Sequence, residues 1–267
     1  MSTAGTPSKR GAPVRDDPSA ATVSALALVR LGHGLPLWLS LLLPAALGAL
    51  FAATVLMEPA GTRDFVYGHW FGLTVFLWSL LVPMCGALYA GSAGQIDEDA
   101  RRVLYGYAFP RRRLLFGTFT AIILIWAASA LILGSLVSVT SLAMNAPADV
   151  PAAFGGALIP VLAAFPTLVL CLLASEAWGV AGAACTGVAG TLFGALLGDK
   201  PVWWFFPPSW PTRSALPLGE TPLLGGALPD GHPLLDTSVL PVIALMSLAL
   251  TALLLLFGSF YIDRREL

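Results

Sequence analysis

Residues 36 to 57 read PLWLSLLLPAALGALFAATVLM, 22 positions without an Asp, Glu, Lys or Arg. At 1.5 Å of rise per helical residue such a run extends about 33 Å, enough to cross a hydrocarbon core about 30 Å thick. Five further runs, 70–91, 115–141, 157–175, 180–197 and 239–262, are equally free of charge. The expected fold is therefore all-α, a polytopic integral membrane protein with six transmembrane helices. Between the fourth and fifth runs only Ser175, Glu176 and Trp178 interrupt the apolar sequence, which predicts a very tight turn between antiparallel helices.

Composition leads to the same class. Of 267 residues, 57% are hydrophobic and 11% charged, whereas about a quarter of a soluble domain is charged. So few charges cannot clothe a surface of this size in water, which excludes an ordinary soluble enzyme. The net charge of −1 supplies no global attraction for nucleic acid. Cys85, Cys171 and Cys185 are odd in number and lie in apolar runs, which reads as small buried hydrophobes rather than a disulfide framework.

Charge placement sets the expected orientation. With the N-terminus inside, Lys9, Arg10, Arg15, Arg30, Arg101, Arg102, Arg111, Arg112, Arg113, Arg264 and Arg265 are cytoplasmic, and only Arg63, Lys200 and Arg213 are external. Lys and Arg are retained inside, so both termini are expected in the cytoplasm of a multi-pass cell-membrane protein. Residues 1–22 are expected to be a disordered cytoplasmic tail, ahead of a membrane domain over 23–267. The apolar stretch 21–33 is either a short interfacial helix or an extension of the first span. Trp38, Tyr67, Trp70, Tyr89, Trp178, Trp203, Trp204, Trp210 and Tyr261 fall near span ends, where aromatic rings prefer the headgroup level. Trp78 and Trp126 do not, and face another helix or lipid.

The segment between the second and third spans, residues 95–113, reads QIDEDARRVLYGYAFPRRR. Asp97 with Arg101 and Glu98 with Arg102 are acidic-before-basic pairs at i, i+4, which predict a short helix. Val103, Leu104, Tyr105, Tyr107 and Phe109 give it an adhesive face, and Pro110 ends it before three arginines. Arg111 to Arg113 by themselves read as topology signals on an anionic leaflet. That leaflet repels the acidic helix in front of them, whereas a docked cytoplasmic protein accounts for both.

These features resemble those of a known family. Six spans, with Glu98 followed by Pro110 and by Arg113 leading into Leu114-Leu-Phe-Gly117, look like the permease subunits of type-2 ABC exporters. Arg30 ahead of Leu35-Pro-Leu-Trp38 and Pro44, with the outer run Trp203-Trp-Phe-Phe-Pro-Pro-Ser-Trp-Pro211, is similar to the subgroup linked to lantibiotic self-protection. The family's usual Gly-Thr after the acidic residue and the Lys after the Pro/Arg pair are absent. The resemblance implies a bacterial membrane subunit that is not an enzyme and binds no cofactor. It would pair with a second permease, identical or related, and couple to a cytoplasmic ABC ATPase that uses the ATP. Asp97, Glu98, Arg101, Arg102, Tyr105, Pro110 and Arg113 would form the coupling contact. The cargo would be amphipathic: a lantibiotic-like peptide, a drug or a lipid.

Gly187, Gly190, Gly194 and Gly198 mark a small-residue face on the fifth span, suited to helix packing within the chain or to a dimer contact. The external segment 199–236 holds eight prolines and reads as an ordered cap or a re-entrant loop rather than another helix of length. Its aromatic start serves either as a gate or as an interfacial anchor.

Catalytic constellations are not evident. The spans carry no ionisable cluster, His33, His69 and His232 lack ligand spacing, and Gly91-Ser-Ala-Gly94 has no His or Asp partner. A Walker motif is absent, so any ATP hydrolysis belongs to another polypeptide. An ion-coupled carrier needs a midplane carboxylate or unwound helix, and Glu176, the borderline candidate, reads as interfacial. The alternative to an exporter is a non-transporting membrane scaffold that recruits a partner through the same loop.

Overall fold

A computed structural model describes residues 19–96, 111–219, 228–229 and 231–264. The helices are α1 (Ala20–Leu31), α2 (Leu35–Met57), α3 (Arg63–Ile96), α4 (Arg111–Ala143), α5 (Val150–Ala163), α6 (Phe165–Leu197), α7 (Trp210–Gly219) and α8 (Val239–Arg264). Among the described residues no strand occurs. Five helical stretches, 35–57, 63–94, 112–143, 165–197 and 239–262, are long and apolar enough to cross a membrane.

Local chemistry explains most boundaries. Ser19 caps α1 by accepting from the Thr22 N–H at 3.1 Å, and Gly32 ends it. Pro36 fits the first turn of α2, where a missing N–H costs nothing, and extended backbone at Glu58 before Pro59 stops it. Arg63 then folds back, with Nη2 on the Glu58 carbonyl at 2.8 Å, and closes the α2–α3 turn. Helices α3 and α4 extend several residues beyond the apolar runs 70–91 and 115–141, because polar helix ends carry no hydropathy signal.

The fourth and fifth runs fold differently from their expected limits. Helical structure begins at Val150 rather than 157, is interrupted at Ala164, and resumes at Phe165. At Gly179 the backbone turns to φ +68°, ψ −160°, and the chain doubles back. The Ala174 carbonyl then faces Gly182, and Thr167 faces Gly190, as in an antiparallel hairpin. Glycine suits this position because a Cβ disfavours positive φ.

Helix α3 is the hub, with α6 as its most extensive neighbour. On one side Gly156 of α5 meets Val75 and Ser175 of α6 donates to the Ala90 carbonyl at 3.2 Å. On the other, Thr191 of α6 donates to the Leu80 carbonyl at 3.3 Å, near Pro83, and Gly91 meets Val180. The two halves of α6 thus run parallel and antiparallel to α3. Trp78 and Trp126 both face protein: Trp78 Nε1 donates to the Ala157 carbonyl at 2.8 Å, and Trp126 stacks on Phe165 with centroids 6.5 Å apart. Val23 of α1 lies against Gly117, and Gly258 of α8 lies beside Leu115, so both helices reach the end of the bundle where α4 begins.

Candidate functional site

Of the expected coupling residues, Asp97, Glu98, Arg101, Arg102, Tyr105 and Pro110 lie outside the described residues, as does the tail 1–18. Arg113 is half-buried in the first turn of α4. The segment 97–110 connects Ile96 of α3 to Arg111 of α4, and these are the two candidate spans most deeply packed in the protein. Glu176 is half-buried near the same end, and Trp178 beside the Gly179 turn is 75% exposed.

Atoms of the same chain meet all four glycines of the small-residue face. Gly187 packs on Ala87 and the Pro83 carbonyl, and a Cβ on Gly190 would lie 3.3 Å from Thr167 Cγ2. On Gly194 it would fall 2.7 Å from the Pro208 carbonyl oxygen, and on Gly198 2.9 Å from Thr212 Cγ2. The opposite face of this helix holds Val188, Leu192 and Leu196, which are exposed. Cys185 is also exposed there, unlike Cys85 and Cys171, so burial in an apolar run holds for two of the three cysteines; lipid contact selects the same residue types as a core.

The glycine face is occupied by the segment that follows it. From Gly198 the chain turns inward beside α6 until Pro208 lies against Gly194 and Gly190, then reverses so that Thr212 returns to the level of Gly198. Eight residues of helix separate Gly198 from Gly190, a descent of about 12 Å. Within this segment, expected to be an ordered cap or a re-entrant loop, lies a ten-residue helix, α7, about half the length needed to span a bilayer. Pro211 in its first turn is compatible with helix, and Pro217 falls near its end. Almost every residue of α7 is buried, packed chiefly on α3 and α5. Ser209 Oγ donates to the Trp203 and Phe206 carbonyls at 2.9 and 2.7 Å, and Trp210 Nε1 to the Trp204 carbonyl at 3.3 Å. At its far end Gly219 lies on Gly72 of α3.

Charge-based topology treats Arg213 as an external basic residue, and it is 5% exposed. Its Nη1 donates to the Leu234 carbonyl at 2.9 Å and Nη2 to the Pro233 carbonyl at 3.3 Å, while the Trp203 ring centroid lies 5.7 Å from the guanidinium carbon. Nε has no partner. Burial lowers the Arg213 pKa, opposed by the Asp236 carboxylate. Asp236 is held below the usual carboxylate range by hydrogen bonds from the Ser238 hydroxyl and N–H, with Arg213 adding to the effect. The sequence signal was present: an arginine amid Trp203, Trp210 and four prolines, in a segment too apolar to be a solvated loop.

His33 Nδ1 lies 2.7 Å from the Val29 carbonyl, and His232 Nδ1 accepts from the Leu234 N–H, so both serve local backbone. Among the described residues no three His, Cys, Asp or Glu side chains gather as metal ligands. No protein family, curated protein or solved structure matches this chain.

Proposed function

We propose that this protein is the membrane-spanning permease subunit of an ATP-driven exporter, coupled through residues 95–113 to a separate cytoplasmic ATPase and paired with a second permease. In this reading the chain crosses the bilayer six times, because Val150–Trp178 and Val180–Leu197 cross in opposite directions about Gly179. Both termini and the 97–110 segment face the cytoplasm, in keeping with the excess of Lys and Arg at that end. The cargo is amphipathic, and the buried helix α7 closes the outer half of the pathway.

One observation carries the reading. Helix α3 has the charged 97–110 segment at its Ile96 end and holds Gly219 of α7 against Gly72 at the other. From residue 72 to 96 the helix rises about 36 Å with Pro83 inside it, so one continuous helix connects the proposed docking segment to a buried closure. A scaffold that only recruits a partner has no need of such a link.

Co-expression of the full chain with a Walker-motif ATPase from the same gene neighbourhood tests this. The expected result is a copurifying complex whose ATP turnover changes when the permease is reconstituted in lipid. A complex that forms but leaves turnover unchanged and moves no cargo favours the scaffold.

A further inference from the structure

Residues 199–218 direct their hydrogen bonds to one another. Ser209 Oγ donates to the Trp203 and Phe206 carbonyls, Trp210 Nε1 to the Trp204 carbonyl, Ser214 Oγ to the Pro211 carbonyl at 2.7 Å, and Lys200 Nζ to the Asp199 carboxylate at 2.9 Å. Ahead of α7 the backbone bonds run from Lys200 to Leu197, Trp203 to Lys200, Phe205 to Val202, Phe206 to Trp203 and Ser209 to Phe206. Only Arg213 reaches further, to Pro233 and Leu234 in the turn that precedes α8. Among the described residues, no hydrogen bond joins 199–218 to α3, α4, α5 or α8, although α7 is buried against α3 and α5. The surrounding helices, in contrast, are tied to one another: Trp78 to Ala157, Ser175 to Ala90, Thr191 to Leu80 and Ser247 to Ala163.

The walls are smooth where this segment touches them. Gly219 lies on Gly72 of α3, and a Cβ on Gly155 of α5 would meet Leu218 at 3.9 Å. On α6, Pro208 faces Gly190 and Gly194, and Thr212 faces Gly198. Packed helices hold one another through interdigitated side chains, and glycine has none to interlock. The segment also buries four polar residues, Ser209, Thr212, Arg213 and Ser214. Its large apolar anchors in α7 are Trp210, clustered with Ala163 and Ile243, and Leu216.

We propose that 199–218, with the Pro233–Leu235 turn that Arg213 holds, is one detachable body, which leaves the slot between α3, α5 and α6 as a unit while the helices around it stay bonded. Its internal hydrogen bonds travel with it, and none to α3 or α5 has to break. What opposes release is the burial of Trp210 and Leu216 together with the close backbone contacts on glycine. The joint to the bundle is the turn at Gly198, where the Lys200 N–H bonds the Leu197 carbonyl. A unit bonded within itself and linked to its surroundings by contact alone opens cooperatively, at a lower free energy than the core. This body is defined by contacts within the chain and stands without the transport reading.

Amide hydrogen exchange of the full chain in detergent, followed peptide by peptide, tests it. Amides of 203–218 and of Leu234 and Leu235 are expected to share one opening, about tenfold or more faster than the amides of α3 around Leu80. Protection equal to that of α3 overturns detachment, and protection graded along the segment overturns the single body. Trp210→Ala and Leu216→Ala remove anchors toward the two ends of α7. Each is expected to accelerate the whole of 203–218 by one common factor, with slow exchange in α3 showing that the variant is folded. Acceleration confined to the neighbourhood of each substitution counts against the proposal. Arg213→Met is expected to divide the unit, with Leu234 and Leu235 parting from 203–218, and joint exchange in that variant overturns the part given to the turn. All of these readouts are taken without ATPase or cargo, so their failure is distinct from failure of the transport reading.

Discussion

Arg213 Nη1 donates to the Leu234 carbonyl at 2.9 Å, tying the buried helix α7 to the chain that leads into α8. A charged donor held in apolar surroundings by carbonyl groups contributes about 1.5–3 kcal/mol per bond. Arg213→Met should leave the Leu234 and Pro233 carbonyls without donors and loosen the segment locally. Amide hydrogen exchange across Trp210–Gly219 should accelerate by at least tenfold, while exchange in α3 stays slow. Uniform protection in the variant would remove the latch role.

The same cap should tolerate mild acid. Asp236 has its pKa depressed in the folded state, so its contribution is present at neutral pH and is lost only as pH falls through that lowered value. Melting temperature should be flat from neutral pH to the ordinary carboxylate range and decline below it, with Asp236→Asn removing that part of the decline. A loss centred near pH 6 would point to a histidine instead.

Gly194 and Val188 lie on opposite faces of one helix and should respond oppositely to added bulk. Gly194→Leu drives a side chain into the Pro208 carbonyl, an overpacking cost of about 1–3 kcal/mol or more. Val188→Leu, on the exposed face, should stay within about 0.5 kcal/mol. Size-exclusion profiles and melting of the two variants measure this, and equal behaviour would mean that the glycine face does not hold the returning segment.

Under the proposed function, exchange of charge within residues 95–113 separates docking from folding. Glu98→Arg with Arg102→Glu should abolish copurification of the ATPase, or its stimulated turnover, with membrane insertion intact. Full coupling in that double variant would sink the proposed contact.

The fold's class was legible because lipid-facing and core-facing helices are both built from uncharged apolar residues, and long runs of them have few other uses. The division at Gly179 was legible too, since Ser175, Glu176 and Trp178 interrupt two apolar runs each too long to be a loop. What hydropathy missed were relations perpendicular to the helix axis. It did not separate exposed Cys185 from buried Cys171, because lipid and protein interior prefer the same side chains. Nor did it show that Gly190, Gly194 and Gly198 receive Thr167, Pro208 and Thr212, since proximity between positions 14 to 23 residues apart leaves no periodic trace. Counting basic residues by loop addresses the side of the membrane and not burial, so it left the buried position of Arg213 unread.

Trp78 offers a small check on the central packing. Trp78→Phe keeps most of the ring and removes the bond to the Ala157 carbonyl, so a loss of about 0.5–1.5 kcal/mol is expected from thermal unfolding followed by circular dichroism. No change would place that carbonyl in contact with another donor.

The single-residue reversal at Gly179 bears on how the chain is made. With φ +68° at one glycine and helix on either side, no slack separates 165–178 from 180–197. If both segments cross the membrane as proposed, neither can leave the insertion machinery while the other waits in water, and the pair would partition into lipid together as a helical hairpin. Gly179→Val should then act during synthesis, lowering the yield of inserted protein more than the stability of the molecules that complete it.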